Sequence, residues 1–165
     1  MKARRNLIQI WLVCAAMLPT MAQAQFTFTT NNGAITIDGY TGSGGAVVIP
    51  STTNGFPVTI VFAGAFYNCS NLTSVSIPDS VNSIGLSNPG LIPLGAFQGC
   101  TSLTNIIIGN NVGYIAEYTF RGCTNLTNIT IPNSVTNIDM YAFYDCTGLT
   151  NLIIGSGITL FGGSM

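Results

Sequence analysis

The chain has 165 residues, of which only 5% are charged and none is histidine. Lys2, Arg4 and Arg5 account for three of its four cations, so beyond residue 24 a single one, Arg121, faces five acids, and one minus five leaves −4. That balance excludes nucleic-acid binding, which needs many Lys and Arg to displace counterions from phosphates, and argues against adsorption to anionic membranes.

The N-terminus reads as an export signal. A basic start (Lys2, Arg4, Arg5) precedes an apolar run over residues 7–18, and Ala22-Gln23-Ala24 supplies small residues for cleavage. Residues 1–24 are therefore expected to be removed. The run is too short and interrupted for a membrane span, so no membrane insertion is expected afterwards. Cys14 follows Trp11-Leu12-Val13, a poor context for lipidation.

Residues 25–61 read as an N-terminal β cap grading into an irregular first coil. Residues 26–30 and 34–38 alternate like strands, and Asn31-Asn32-Gly33 between them is a hairpin signal. Gly42-Ser43-Gly44-Gly45 is a flexible turn rather than a phosphate loop, since no Lys follows. Residues 46–49 followed by Pro50, and Pro57-Val58-x-x-Val61, echo the Ile-Pro and Val-x-x-Ile halves of a later repeat.

From residue 62 to residue 165 one segment recurs four times: Ala-Phe-x-x-Cys-x-x-Leu-x-x-Ile-x-Ile, with small variations. Its phenylalanines are Phe66, Phe97, Phe120 and Phe143; the last three are 23 residues apart, and the first gap is 31, or 23 plus an insertion of 8. A fixed period of this size predicts a solenoid whose units bury their apolar faces against one another. The β-branched stretches ending at Ile77, Ile108, Ile131 and Ile154 read as short parallel strands. Alternation sends Val75 and Ile77, and their equivalents, inward. It sends Ser74, Asn105, Asn128 and Asn151 outward, with Ser76, Ile107, Thr130 and Ile153. A second apolar pair follows each strand: Val81/Ile84, Val112/Ile115, Val135/Ile138 and Ile158/Phe161. The Ala-Phe-x-x-Cys segment has the spacing of a single helical or 3-10 turn, with Phe and Cys internal. Residues 86–93 hold the insertion, a Pro- and Gly-containing loop. The last coil has no cap and exposes core, which predicts a shortened array or end-to-end self-association there.

This pattern resembles the BspA-type leucine-rich repeat family. The third copy fits best, through Phe120, Cys123, Leu126, Ile129, Ile131-Pro132, Ser134-Val135 and Ile138. The resemblance implies a leucine-rich repeat solenoid and an exported or surface protein, often an adhesin. It supplies no catalytic residues, and Thr119 stands where the family usually has Ala.

Little chemistry competes with that reading. Cys69, Cys100, Cys123 and Cys146 share one internal column, which favours buried free thiols; one or two disulfides are the alternative. No C-x-x-C pair supports a metal site, and no cofactor is expected. With no His, no Lys after residue 24 and no close acid pair, catalysis is not expected. Glu117 and Arg121 have helical ion-pair spacing, while Arg121 also lies one coil from Tyr144 in the same column, where it can stack. The candidate binding face is Asn105, Ile107, Asn128, Thr130, Asn151 and Ile153, apolar side chains in a neutral polar frame. The expected partner is a protein or polysaccharide. The alternative is a structural spacer with no ligand of its own. A regular threonine column (Thr73, Thr104, Thr127, Thr150) raises a further option, lattice matching to ice or a crystalline polysaccharide.

Overall fold

The computed structural model describes residues 25–87, 90 and 94–162. The expected export signal and most of the insertion (residues 88–89 and 91–93) lie outside the described residues. The architecture is a solenoid of two strand ladders sharing one core.

The larger sheet starts with a hairpin. β1 (Phe26–Asn31) and β2 (Ala34–Tyr40) pair antiparallel, and Asn32 and Gly33 both adopt positive φ (48° and 75°), as a tight two-residue hairpin turn requires. The sheet continues in parallel through β5 (Phe56–Phe62), β7 (Ser83–Leu86), β9 (Tyr114–Ile115), β11 (Asn137–Ile138) and β13 (Leu160–Phe161). β4 (Thr52–Thr53) adds a short antiparallel pairing to β5. Ile37, Val61, Ile84, Ile115 and Ile138 stand in one register column, all buried.

The second sheet is wholly parallel: β3 (Gly45–Val48), β6 (Leu72–Ser76), β8 (Asn105–Ile107), β10 (Asn128–Ile131) and β12 (Asn151–Ile154). Their β-branched residues suit a pleated, half-buried surface. Val47, Val75, Ile106 and Ile129 form its inward column, each at most 4% exposed. Residues 45–62 thus contribute one strand to each sheet and form a coil of the solenoid, continuous with the regular repeats.

The Ala-Phe-x-x-Cys segments close each coil as single hydrogen-bonded turns. Cys69, Cys100, Cys123 and Cys146 each donate their amide N–H to the Phe carbonyl three residues earlier, at 3.1–3.2 Å. These are the bonds of a 3-10 turn, but they do not extend into a helix. The residue before each Cys (Asn68, Gly99, Gly122, Asp145) has φ between 57° and 75° and breaks the run after one turn. A third backbone ladder joins these corners: Phe66, Phe97 and Phe120 donate to the carbonyls of Ala96, Thr119 and Ala142, each at 2.8 Å.

Inside the corner the phenylalanine rings stack. Phe66, Phe97, Phe120 and Phe143 lie 4.8, 5.7 and 5.3 Å apart between successive centroids. The hairpin completes the stack, with the Tyr40 ring 5.0 Å from Phe66 and Phe26 edge-on at 6.2 Å. The cap therefore both covers a sheet edge and supplies the first rung of the aromatic column. At the other end of the described chain, Ile154, Leu160 and Phe161 are exposed.

Candidate functional site

The outer face of the five-stranded sheet carries two columns. The first runs Ala46, Ser74, Asn105, Asn128 and Asn151; the second runs Val48, Ser76, Ile107, Thr130 and Ile153. Successive rungs are about 4.8 Å apart, the strand spacing of any sheet. All six residues singled out from the sequence, Asn105, Ile107, Asn128, Thr130, Asn151 and Ile153, are exposed on this face. Ile107 is 58% and Ile153 52% exposed. Val48, at 69%, adds an exposed apolar residue two coils before Ile107, beyond Ser76, that the sequence reading did not include. Its signal was present: Val47-Val48-Ile49-Pro50 repeats the in-out-in-Pro order of the later strands. Neither column contains a charged residue. Between β8 and β10 lies a shallow groove of about 400 Å³, lined by Asn105, Ile107, Asn110, Asn128, Thr130 and Pro132.

The threonine column flanks this face, but two of its four hydroxyls, those of Thr104 and Thr150, are engaged as donors. Thr104 Oγ1 donates to Thr73 O at 3.1 Å, and Thr150 Oγ1 to Thr127 O at 3.2 Å. These threonines tie coil to coil, which weakens the case for a free hydroxyl lattice.

Among the described residues all four cysteines, Cys69, Cys100, Cys123 and Cys146, are free. The thiols of Cys100, Cys123 and Cys146 donate to the carbonyls of Phe66, Phe97 and Phe120 at 3.1, 3.2 and 3.0 Å. Burial pushes the Cys100 thiol up to about 12 and Cys146 to about 11, and raises Cys123 further. Such thiols are poor nucleophiles and poor metal ligands as they stand. Among the described residues no group of three or more Cys, Asp and Glu side chains is placed to hold a metal.

Two other contacts tie charged side chains into local structure. The Tyr114 hydroxyl donates to Asp139 Oδ2. Burial, and then the neighbouring Asp139 carboxylate, push this phenol up to about 12. Arg121 does not pair with Glu117, because the turn between them is not helical. Its guanidinium lies over the rings of Tyr118 and Tyr144, at 5.2 and 5.5 Å from their centroids.

Comparison with known proteins agrees with this geometry. The model of the BspA type leucine rich repeat region matches residues 47–88 and 90–165, in six copies. The chain belongs to the BspA-type leucine-rich repeat family. Solved structures of bacterial leucine-rich repeat proteins share its fold. One from Bacteroides capillosus ATCC 29799 is 31% identical, with a TM-score of 0.66 over 79% of this chain and 94% of that one. One from T. pallidum is 27% identical, with a TM-score of 0.64 over 86% and 80%. A leucine rich cell surface protein from Faecalibacterium prausnitzii A2-165 is 27% identical, with a TM-score of 0.54 over 83% of this chain and 43% of that one. A comparison with curated proteins found no match. In this BspA-type chain Thr119 replaces the usual Ala and is accommodated by Gly85: its buried hydroxyl donates to Ala116 O at 2.7 Å, and a methyl at Gly85 would sit 2.6 Å from its Oγ1.

Proposed function

We propose that this chain is an exported, non-enzymatic binding module that holds a protein ligand non-covalently on the outer face of its five-stranded sheet. The observation that carries the reading is the set of apolar side chains Val48, Ile107 and Ile153, exposed on an uncharged face in a column they share with Ser76 and Thr130. Branched apolar side chains held in register by backbone ladders lose little conformational freedom on binding, which lowers the cost of association. The flanking Asn105, Asn128 and Asn151 offer amide donors and acceptors to a partner's backbone. The basic and apolar N-terminal residues support export, as does the structural relative described as a cell surface protein. Lack of histidine and the uncharged face support a role without acid–base chemistry.

The test is a binding screen of the protein against extracellular matrix proteins, with an Ile107→Asp, Thr130→Asp double variant whose folding is checked by circular dichroism. Saturable binding that the variant loses supports the reading. A folded parent that binds none of them refutes it and leaves a structural spacer.

A further inference from the structure

A second surface lies at the Ala-Phe-x-x-Cys corner, away from the sheet face. The position just before each Ala of the motif is Gly64, Gly95, Tyr118 and Tyr141. Tyr118 and Tyr141 both hold φ in the left-handed region, at 58° and 57°. Glycine takes that conformation freely, and a bulky side chain does not. Of the two equivalent glycines Gly64 shares that conformation, at 73°, and Gly95 does not, so two successive coils keep tyrosine in a backbone that Gly64 adopts without a side chain. Backbone outliers of this kind point towards function. The two rings stack at 5.5 Å with an 8° interplanar angle, and Tyr144, 41% exposed, stands edge-on to Tyr141 at 5.7 Å.

Arg121 lies among these rings and has no carboxylate or hydrogen-bond partner for its side chain among the described residues. A guanidinium carries five N–H donors in a fixed plane. Here two aromatic faces hold that plane while its donors remain open. Asp145 and Glu117 lie close by in the chain and offer acceptors, the Glu117 carboxylate already taking a hydrogen bond from Tyr118. Ring faces beside fixed donors and acceptors of both signs suit a ligand with apolar C–H faces and adjacent hydroxyls. The surrounding acids and the net charge of −4 beyond residue 24 repel a polyanion.

We propose that the Tyr118, Arg121, Tyr141, Tyr144 corner is a binding site for a neutral polysaccharide, in which a sugar ring packs on tyrosine and Arg121 donates to a pair of its hydroxyls. The site is separate from the sheet face, so the two readings stand or fall independently.

The test is affinity electrophoresis of the protein through native gels containing a neutral polysaccharide (mannan, laminarin or xyloglucan) or an acidic one (alginate). Retardation is expected in at least one neutral gel. Tyr144→Ala, Arg121→Gln and the Tyr118→Gly, Tyr141→Gly double variant should each weaken it at least about tenfold, while Ile107→Asp, Thr130→Asp leaves it unchanged. The glycine variant guards against misfolding, because glycine adopts the left-handed φ of Tyr118 and Tyr141 freely, as Gly64 does at the equivalent position: a ligand site predicts unchanged or higher thermal stability with lost binding. No retardation in any neutral gel, retardation in alginate alone, or neutral-gel retardation that survives these substitutions overturns the proposal.

Discussion

Truncating a middle rung of the phenylalanine stack tests whether the corner holds the coils together. Phe97 is fully buried and stacks on both Phe66 and Phe120, at 4.8 and 5.7 Å. Phe143 is 5% exposed and, among the described residues, stacks on Phe120 alone. A buried Phe→Ala change costs about 3–5 kcal/mol, and an aromatic pair contributes about 0.5–1.5 kcal/mol beyond its area. Phe97→Ala forfeits two pairs and leaves a fully enclosed cavity, so it should fall at the upper end, about 4–5 kcal/mol. Phe143→Ala forfeits one pair at a rim that can relax, so about 3 kcal/mol is expected. Phe97→Leu fills most of the space without stacking and should fall below both. Because solenoid stability is nearly a sum of neighbour interfaces, losing the middle rung should also broaden or split the transition. Urea titrations followed by far-ultraviolet circular dichroism measure both effects. Equal losses for Phe97→Ala and Phe143→Ala, or a Phe97→Leu variant identical to the parent, would refute the reasoning.

Gly85→Ala should destabilise by about 1–3 kcal/mol, because φ is +85° and the new methyl meets Thr119 Oγ1; Thr119→Ala should recover part of that loss in a double-variant cycle. Maleimide labelling at pH 8 should modify half-buried Cys69 first and reach Cys100, Cys123 and Cys146 only on denaturation; uniform labelling rates would contradict the buried column. The folded state favours the protonated thiols, so their contribution is complete below the ordinary value of 9.0 and is lost as pH rises towards the folded values of about 11 for Cys146 and about 12 for Cys100. Stability measured from pH 8 to pH 11 should therefore fall, and a Cys100→Ala, Cys146→Ala variant should fall less steeply. The Ser80 hydroxyl is buried without a partner, whereas Ser134 Oγ donates to Val112 O at 2.8 Å. Ser134→Ala should cost about 1 kcal/mol and Ser80→Ala nothing or less, and equal losses in thermal melts would refute the contrast.

Most of the fold was legible because the repeat states each constraint several times. Alternation in the strands, read across copies, assigned Ile106 and Ile129 inward and Ile107 and Thr130 outward, as the structure has them. What stayed hidden depended on contacts between elements that do not share the period. Tyr40 belongs to the hairpin, so nothing in the 23-residue columns announced it as a rung of the phenylalanine stack. The left-handed backbone at Tyr118 and Tyr141 was likewise silent, because residue type argued against it. Arg121 had two partners in reach by spacing alone. The choice of aromatic rings over Glu117 follows from a turn that ends after three residues, a matter of backbone rather than of charge.

The insertion of eight residues enters at a corner and leaves every ladder in place. Ser83 and Ile84 still pair with Tyr114 and Ile115, Val75 with Ile106, and Phe66 N–H still reaches Ala96 O. Length and register are thus decoupled after Leu86, which itself still pairs with Phe62. A chain with this property can exchange the sequence at one corner as a cassette while the rest of the coil is copied unchanged. Diversification then costs no refolding problem, and a set of related proteins can vary what they display there on one inherited frame.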